Sequence, residues 1–406
     1  VPAGAFWHRG LVKILFATAP GYGLMLPLVP LMWAARAAGH EVLLATSSSM
    51  TEVGARAGLP VVDVFPDRDV WADLMRSIRD PDSVKSLPPV YRRAAGAGNP
   101  FVMFTLTMTG GTIAAGRAFG ADVVVYTSDH AAGALTAAAL GVPALEVGNR
   151  VSWSMRDADF RESHSMFNDD EITRSLRDEF AIGEGMPNLV ARIDPRAPSM
   201  GGLVEDEPDP ADGVPWWSMR YVPYNGGTAV PPWALETPVK PRICVTLGTV
   251  VPVMQGTSSL SVVVEALGAL DVEVVLAMGD MDLTELGALP DNTRSAGFLP
   301  LSAFLPSCSL VVHHGGSGTT AAPLHYGVPQ LVLPAFADNP MSAQRVVDRG
   351  VGLRHDPTTI DVTIVRDLVG RLLAEPSFAE AAAQVRDEMA TQPSPSAIID
   401  RLSRAL

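Results

Sequence analysis

One run of the sequence gathers the residue types that hold anions: His313-His314-Gly315-Gly316-Ser317-Gly318-Thr319-Thr320, between the apolar run Leu310–His313 and a helical stretch. Glycines let backbone N–H groups close on a phosphate, Thr319 and Thr320 add hydroxyls, and a helix start adds a positive dipole. A histidine at the strand end can donate to a phosphate oxygen. A glycine cluster by itself reads equally well as a structural turn beside a core histidine. The neighbours favour a site: Gly327-Val328-Pro329-Gln330 follows, then Pro334-Ala335-Phe336-Ala337-Asp338-Asn339. The latter sets an acid–amide pair at the C-terminal end of another apolar run, where doubly wound sheets hold ligands. A second glycine turn, Pro20-Gly21-Tyr22-Gly23, has Leu26 where a third glycine would complete a dinucleotide fingerprint. No acidic residue crowns Glu41–Thr46 in a ribose-binding position either, so a nicotinamide-dependent oxidoreductase is set aside.

The elements that must position these residues alternate. An apolar run from Val12 precedes the first glycine turn, a helical pattern covers Leu26 to Ala38 with Gly39 after it, and Glu41–Thr46, Leu59–Val64 and Asp122–Tyr126 are further apolar runs. The logic restarts with Ile243–Leu247, Val272–Ala277, Leu310–His313 and Gln330–Leu333. Alternation of this kind predicts parallel sheets covered by helices, and 406 residues are too many for one core. The fold class is α/β, with two doubly wound Rossmann-like domains facing a cleft. The boundaries are read as 11–204 for the first domain, 205–240 for a linker crowded with proline, 241–385 for the second domain, and 386–406 for a terminal helix that packs back on the first. Segments Trp71–Phe104 and Val151–Met200 fit the rhythm poorly and are placed as helices and loops decorating the first domain.

The formal charge of −14 opposes nucleic acid and anionic membrane as partners, and no apolar stretch has the length to cross a bilayer. Cys244 and Cys308 lack metal spacing and read as reduced core residues of a cytoplasmic protein. Val1–Gly10, without periodicity, is excluded from the fold as a leader. A homodimer is the assembly left open.

The whole arrangement resembles the family-one B-fold (GT-B) nucleotide-sugar glycosyltransferases, specifically the actinomycete enzymes of antibiotic and polyketide biosynthesis. The motifs that carry it are His-Gly-Gly-Ser-Gly-Thr at His314–Thr319, Gly-Val-Pro-Gln at 327–330, Asp338-Asn339, and Met219-Arg220-Tyr221-Val222-Pro223-Tyr224-Asn225-Gly226. The resemblance implies that His314, Gly316, Ser317, Gly318 and Thr319 hold the donor diphosphate, and that Asp338 and Asn339 bind sugar hydroxyls. The family's usual pair is Asp-Gln, so Asn339 is a shorter amide. It also implies that Phe298 stacks on the base, that the Leu299 backbone reads its edge, and that Thr249 sits next to the phosphates. The donor would be a nucleotide sugar, dTDP-linked, as co-substrate, with no metal and no further cofactor. Inversion at the sugar's anomeric carbon follows from attack on the face opposite the diphosphate.

The acceptor side departs from the family. There the first glycine turn ends in a histidine that acts as general base, and Leu24 occupies that place. Thr127 stands where an orienting aspartate is common. Three readings follow: the base moves to Asp129 or His130, the acceptor is an electron-rich, already acidic phenolic ring that attacks through carbon and needs little basic help, or the protein is a catalytically silent activator that keeps the fold; the O- or C-linkage stays open. An acceptor pocket is expected from Tyr22, Leu24, Trp71, Met75, Met103, Phe104, Trp153 and Met155, whose soft apolar surface suits an aromatic polyketide or macrolide aglycone. The same side chains read singly as core. A nucleotide-sugar epimerase would need acidic and basic groups around one sugar carbon that the sequence does not offer.

Overall fold

Two sheets organise the chain in a computed structural model that describes residues 11–86, 89, 92, 100–158, 161, 170–185, 187–248, 258–279 and 281–406. The first holds β1 (Lys13–Ala17), β2 (Glu41–Thr46), β3 (Val61–Asp63), β4 (Val123–Thr127), β5 (Ala144–Val147), β6 (Leu189–Asp194), β7 (Glu207–Pro208) and β8 (Pro215–Ser218), in the order β3-β2-β1-β4-β5-β6-β8-β7. The second holds β9 (Arg242–Thr246), β10 (Glu273–Leu276), β11 (Thr293–Ser295), β12 (Cys308–His313), β13 (Gln330–Val332) and β14 (Gly352–Arg354), in the order β11-β10-β9-β12-β13-β14. All pairings are parallel except β7 with β8. Strands β4 and β9 are buried along their whole length, as continuous apolar runs covered on both faces must be.

In each sheet the winding reverses between the first strand and the fourth: at β1/β4 in one, at β9/β12 in the other. Such a switch point opens a crevice at the strands' C-terminal ends. The Gly21-Tyr22-Gly23 turn follows β1 and the His314 loop follows β12, so both glycine turns sit on these crevices.

The structure corrects the expected boundaries. Strand β6 lies inside Val151–Met200, a segment expected to decorate the first domain, and it is a core strand with Ala191 and Ile193 fully buried. The stretch 205–240, expected as a linker, begins with β7 and β8, and β8 pairs with β6 through Arg192↔Trp216 and Ile193↔Trp217. Both tryptophans are buried, and Trp216 donates from Nε1 to Asp209 at 2.8 Å. The helix Pro376–Thr391 runs beyond residue 385, and its Ala382, Val385 and Met389 share one apolar cluster with Val151, Ala197 and Met200 from the first domain and with Tyr221. The chain then crosses over at Pro393, whose carbonyl accepts from the Arg220 amide at 2.8 Å. The final helix, Pro395–Ala405, buries Ile398, Ile399 and Leu402 in the core formed by Ile14, Phe16 and Leu31.

Candidate active site

The glycine loop is built around a second histidine. His313 is fully buried; its Nδ1 accepts from the Gly315 amide at 3.0 Å, which leaves Nε2–H to donate to Gln330 Oε1 at 2.7 Å. Gln330 in turn donates to the Thr320 carbonyl at 3.3 Å, so strand β13 holds the first turn of the helix Ser317–Tyr326 in place. His313 is therefore structural, and burial pushes it down to about 3.

His314 points toward the cleft between glycines. A Cβ on Gly316 would lie 2.9 Å from its Cε1 and nearer still to Nε2, and one on Gly248 would crowd it from the loop after β9, where φ is +66°. Only glycine at both positions leaves room for the ring. Burial lowers the His314 pKa to about 4, with the Thr246 carbonyl acting the other way, and its Nδ1 has no hydrogen-bond partner. A neutral imidazole is thus held ready beside the helix start, where the backbone N–H groups of Ser317, Gly318 and Thr319 have no acceptor within the helix. The hydroxyls of Thr319 and Thr320 differ from expectation: both donate to the Gly316 carbonyl, at 2.8 and 3.0 Å, and brace the loop.

A cavity of about 880 Å³ joins this loop to the first domain. His314, Gly316, Ser317, Gly318, Thr319, Phe298, Leu299, Asp338 and Asn339 line one side of it. Phe298 is 43% exposed, a free ring face on which a base can stack. Gly226 (φ +106°) passes over its edge, where a Cβ would stand 2.8 Å from Phe298 Cε1, and Asn225 Oδ1 accepts from the Leu301 amide at 3.1 Å. Thr249 lies outside the described residues.

On the other side, Tyr22, Leu24, Trp71, Met75, Phe104 and Trp153 line the cavity. Trp71 and Phe104 are parallel to within 6° with centroids 6.2 Å apart, and Phe101 meets Phe104 edge-on. Met103 and Met155 do not reach the cavity: Met103 is buried in the core beneath Phe104, and Met155 packs against Trp153.

Asp129 and His130, the candidate bases, do not line it either. Both follow β4 and are fully buried; Asp129 Oδ2 accepts from Asn149 Nδ2 at 3.0 Å and from Arg150 Nη2 at 3.1 Å. Burial lowers His130 to about 4, and neither ring nitrogen has a partner. Among the described lining residues the one carboxylate is Asp338 and the one imidazole is His314, both on the donor side.

Sequence reasoning missed Arg150. It lines the cavity, its Nη1 lies 3.4 Å from Asp338 Oδ2, and its guanidinium carbon sits 5.5 Å from the Trp153 ring centre. Asn149 beside it accepts from Ser317 Oγ at 3.3 Å through its carbonyl, tying the loop after β5 to the glycine loop. The available signal was its position just past the end of an apolar strand, where ligand-facing residues gather.

Two Rossmann-like domains with an anion loop at one switch point and an apolar wall at the other define a GT-B nucleotide-sugar glycosyltransferase. Comparison with known proteins agrees. Residues 33–248 match the family described as erythromycin biosynthesis protein CIII-like, N-terminal domain, and residues 261–405 match its C-terminal domain. The chain belongs to this family. It is 34% identical to the elloramycin glycosyltransferase ElmGT of Streptomyces olivaceus over 97% of both chains. It is 32% identical to the 10-deoxymethynolide desosaminyltransferase of Streptomyces venezuelae over 93% of both. Among solved structures, the glycosyltransferase SnogD of Streptomyces nogalater superposes with a TM-score of 0.79 at 31% identity, covering 97% of this chain and 99% of that one. SsfS6 of Streptomyces sp. SF2575, complexed with thymidine diphosphate, superposes with a TM-score of 0.73 at 30% identity over 97% and 99%. No helix among the described residues is long and apolar enough to cross a membrane.

Proposed function

We propose that this enzyme moves a deoxysugar from a dTDP-sugar to an aromatic polyketide whose own phenol supplies the acidity that a histidine base would otherwise draw out. The observation that carries the reading is the acceptor wall: Leu24 stands at the base position, and the wall around it is Trp71, Met75, Phe104 and Trp153. The parallel pair Trp71 and Phe104 favours a flat ring system over a macrolide. The thymidine diphosphate bound to SsfS6 supports the nucleotide.

In this reading the bond from the anomeric carbon to the diphosphate oxygen breaks as the acceptor attacks the opposite face, inverting the centre. Charge growing on the diphosphate is met by the helix N-terminus and a His314 N–H, fixed before the reaction begins. The nucleotide sugar is co-substrate, and the reading invokes no metal or further cofactor. Two unpaired cysteines, Cys244 and Cys308, fit a cytoplasmic site of action.

The test is incubation with dTDP-deoxysugars and a panel of phenolic and macrolide aglycones, read by product mass. Glycosylated phenols with macrolides unreacted support it; transfer to macrolides alone overturns the acceptor class. Acid hydrolysis then sorts the linkage, because a C-glycoside survives conditions that cleave an O-glycoside.

A further inference from the structure

The loop after β5 belongs to the first domain, yet the second domain holds it along its length. Ser317 Oγ donates to the Asn149 carbonyl at 3.3 Å, and Asp338 pairs with Arg150 at 3.4 Å. Arg345 Nε donates to the Ser152 carbonyl at 3.1 Å, its Nη2 lies 3.7 Å from Asp157 Oδ2, and Met341 packs against Trp153. Asp338 caps the helix Asn339–Asp348, and Met341 and Arg345 follow it at spacings of three and four, so all lie along one side of that helix. Asp157 gives the loop a fixed far end: the buried Arg196 donates to both its carboxylate oxygens, at 2.7 and 3.2 Å, and pairs with Asp194 as well. Between that anchor and the strand end lies Trp153, on the acceptor wall.

We infer that Arg345 is a positioning residue that sets Trp153 on the acceptor wall, so that the second domain shapes acceptor recognition through the helix that begins at Asp338. The Ser152 carbonyl is part of the planar peptide unit that ends in the Trp153 nitrogen, and a bond to it fixes the plane from which the indole departs. Arg345 makes that bond from outside: it is not among the described residues that line the cavity, and 38% of its side chain is exposed. A guanidinium suits the task because its fork spans a carbonyl and a carboxylate together, where the point charge of an ammonium serves one at a time. No role implied by the family resemblance falls on Arg345. The inference rests on the aromatic-acceptor reading and adds to it a residue of the opposite domain that touches neither substrate.

The experiment is calorimetry on the full chain, with a hydroxyanthraquinone as the flat phenolic probe and dTDP as the control. Arg345→Met should weaken hydroxyanthraquinone binding ~10-fold, the scale of one hydrogen bond from a charged group, and leave dTDP affinity within ~2-fold of wild type. It strands no charge, because Asp157 keeps Arg196. Arg345→Lys, which still donates to the Ser152 carbonyl, should recover binding to within ~3-fold. Trp153→Leu should itself weaken the probe, and Arg345→Met on that background should add less than ~2-fold, since the ring it positions is gone. If melting curves show Arg345→Met unfolded, Arg345→Gln takes its place in the same cycle. Unchanged hydroxyanthraquinone affinity in the Arg345 variant overturns the inference, as does an equal loss with and without Trp153 or a matching loss of dTDP affinity. A wild type that binds dTDP but not the hydroxyanthraquinone is a different result, and overturns the aromatic-acceptor reading along with the inference.

Discussion

Replacing Gly316 by alanine tests how the donor loop works, because it moves His314 without altering any polar group. Gly316 has φ −60° and ψ 147°, a conformation every L-residue adopts, so alanine introduces no backbone strain. The new Cβ would stand 2.9 Å from His314 Cε1, and nearer Nε2, where ordinary contact begins at 3.4 Å. The ring cannot retreat past the Gly248 loop, so it must tilt away from the phosphate position. Losing one hydrogen bond to a charged group costs about 1.5–3 kcal/mol, which is ~10–100-fold in dTDP affinity. Where charge grows during reaction, the loss of one oriented donor lowers turnover by ~10²–10³. His314→Ala should do the same, and Gly316→Ala on that background should add almost nothing, since the ring it displaces is gone. Calorimetry and single-turnover rates on the two single variants and the double, with melting curves to confirm folding, read the cycle. Wild-type affinity in Gly316→Ala, or fully additive losses in the double, refutes the reasoning.

Stability should fall in mild acid. Burial lowers His130 and His314 to about 4 and His313 to about 3, below the unfolded value of 6.5, so the unfolded chain binds these protons more tightly. Their contribution is complete above pH 6.5 and is lost as pH drops toward 4, with a slope approaching about 4 kcal/mol per pH unit near pH 5. Denaturant titrations across that window check it, and a flat profile contradicts it. Asp129→Asn and His130→Ala should lower turnover by less than ~10-fold, since neither residue touches the cavity; a drop of ~10²–10⁴ would restore them as general bases. Leu24→His should bring a large gain toward alcohol acceptors, measured by product formation with matched alcohol and phenol substrates, and no gain would mean that a base already serves that wall.

The donor side was legible because its information is local. Glycines at 315, 316 and 318 encode a backbone path, and the structure explains two further ones, Gly248 and Gly226, by the rings of His314 and Phe298 that crowd them. Residue type alone does not separate His313 from His314; the His-Gly-Gly-Ser-Gly-Thr resemblance picked out His314, and the register of β12 against β13 turns His313 inward to Gln330. Strands β7 and β8 were hidden by proline and glycine that suggested a linker, although Trp216-Trp217 was the apolar signal of a short buried strand. Asp129 and His130 were misplaced by proximity: they follow β4 at the correct end of the sheet, but both are buried there instead of facing the acceptor. Arg150 was missed because one arginine in a loop has no pattern, and its meaning arises from two carboxylates in different domains.

The central claim is that the acceptor's own ionisation, not a protein base on the acceptor wall, sets the rate. The direct measurement is the pH–rate profile of transfer to two phenols of the same shape whose acidities differ by ~1.5 pKa units, at saturating donor, a separation that buried-site shifts common to both would not erase. The account predicts rates that rise with pH and midpoints that separate by the difference between the phenols. A common midpoint for both acceptors, abolished by one protein substitution, would contradict it.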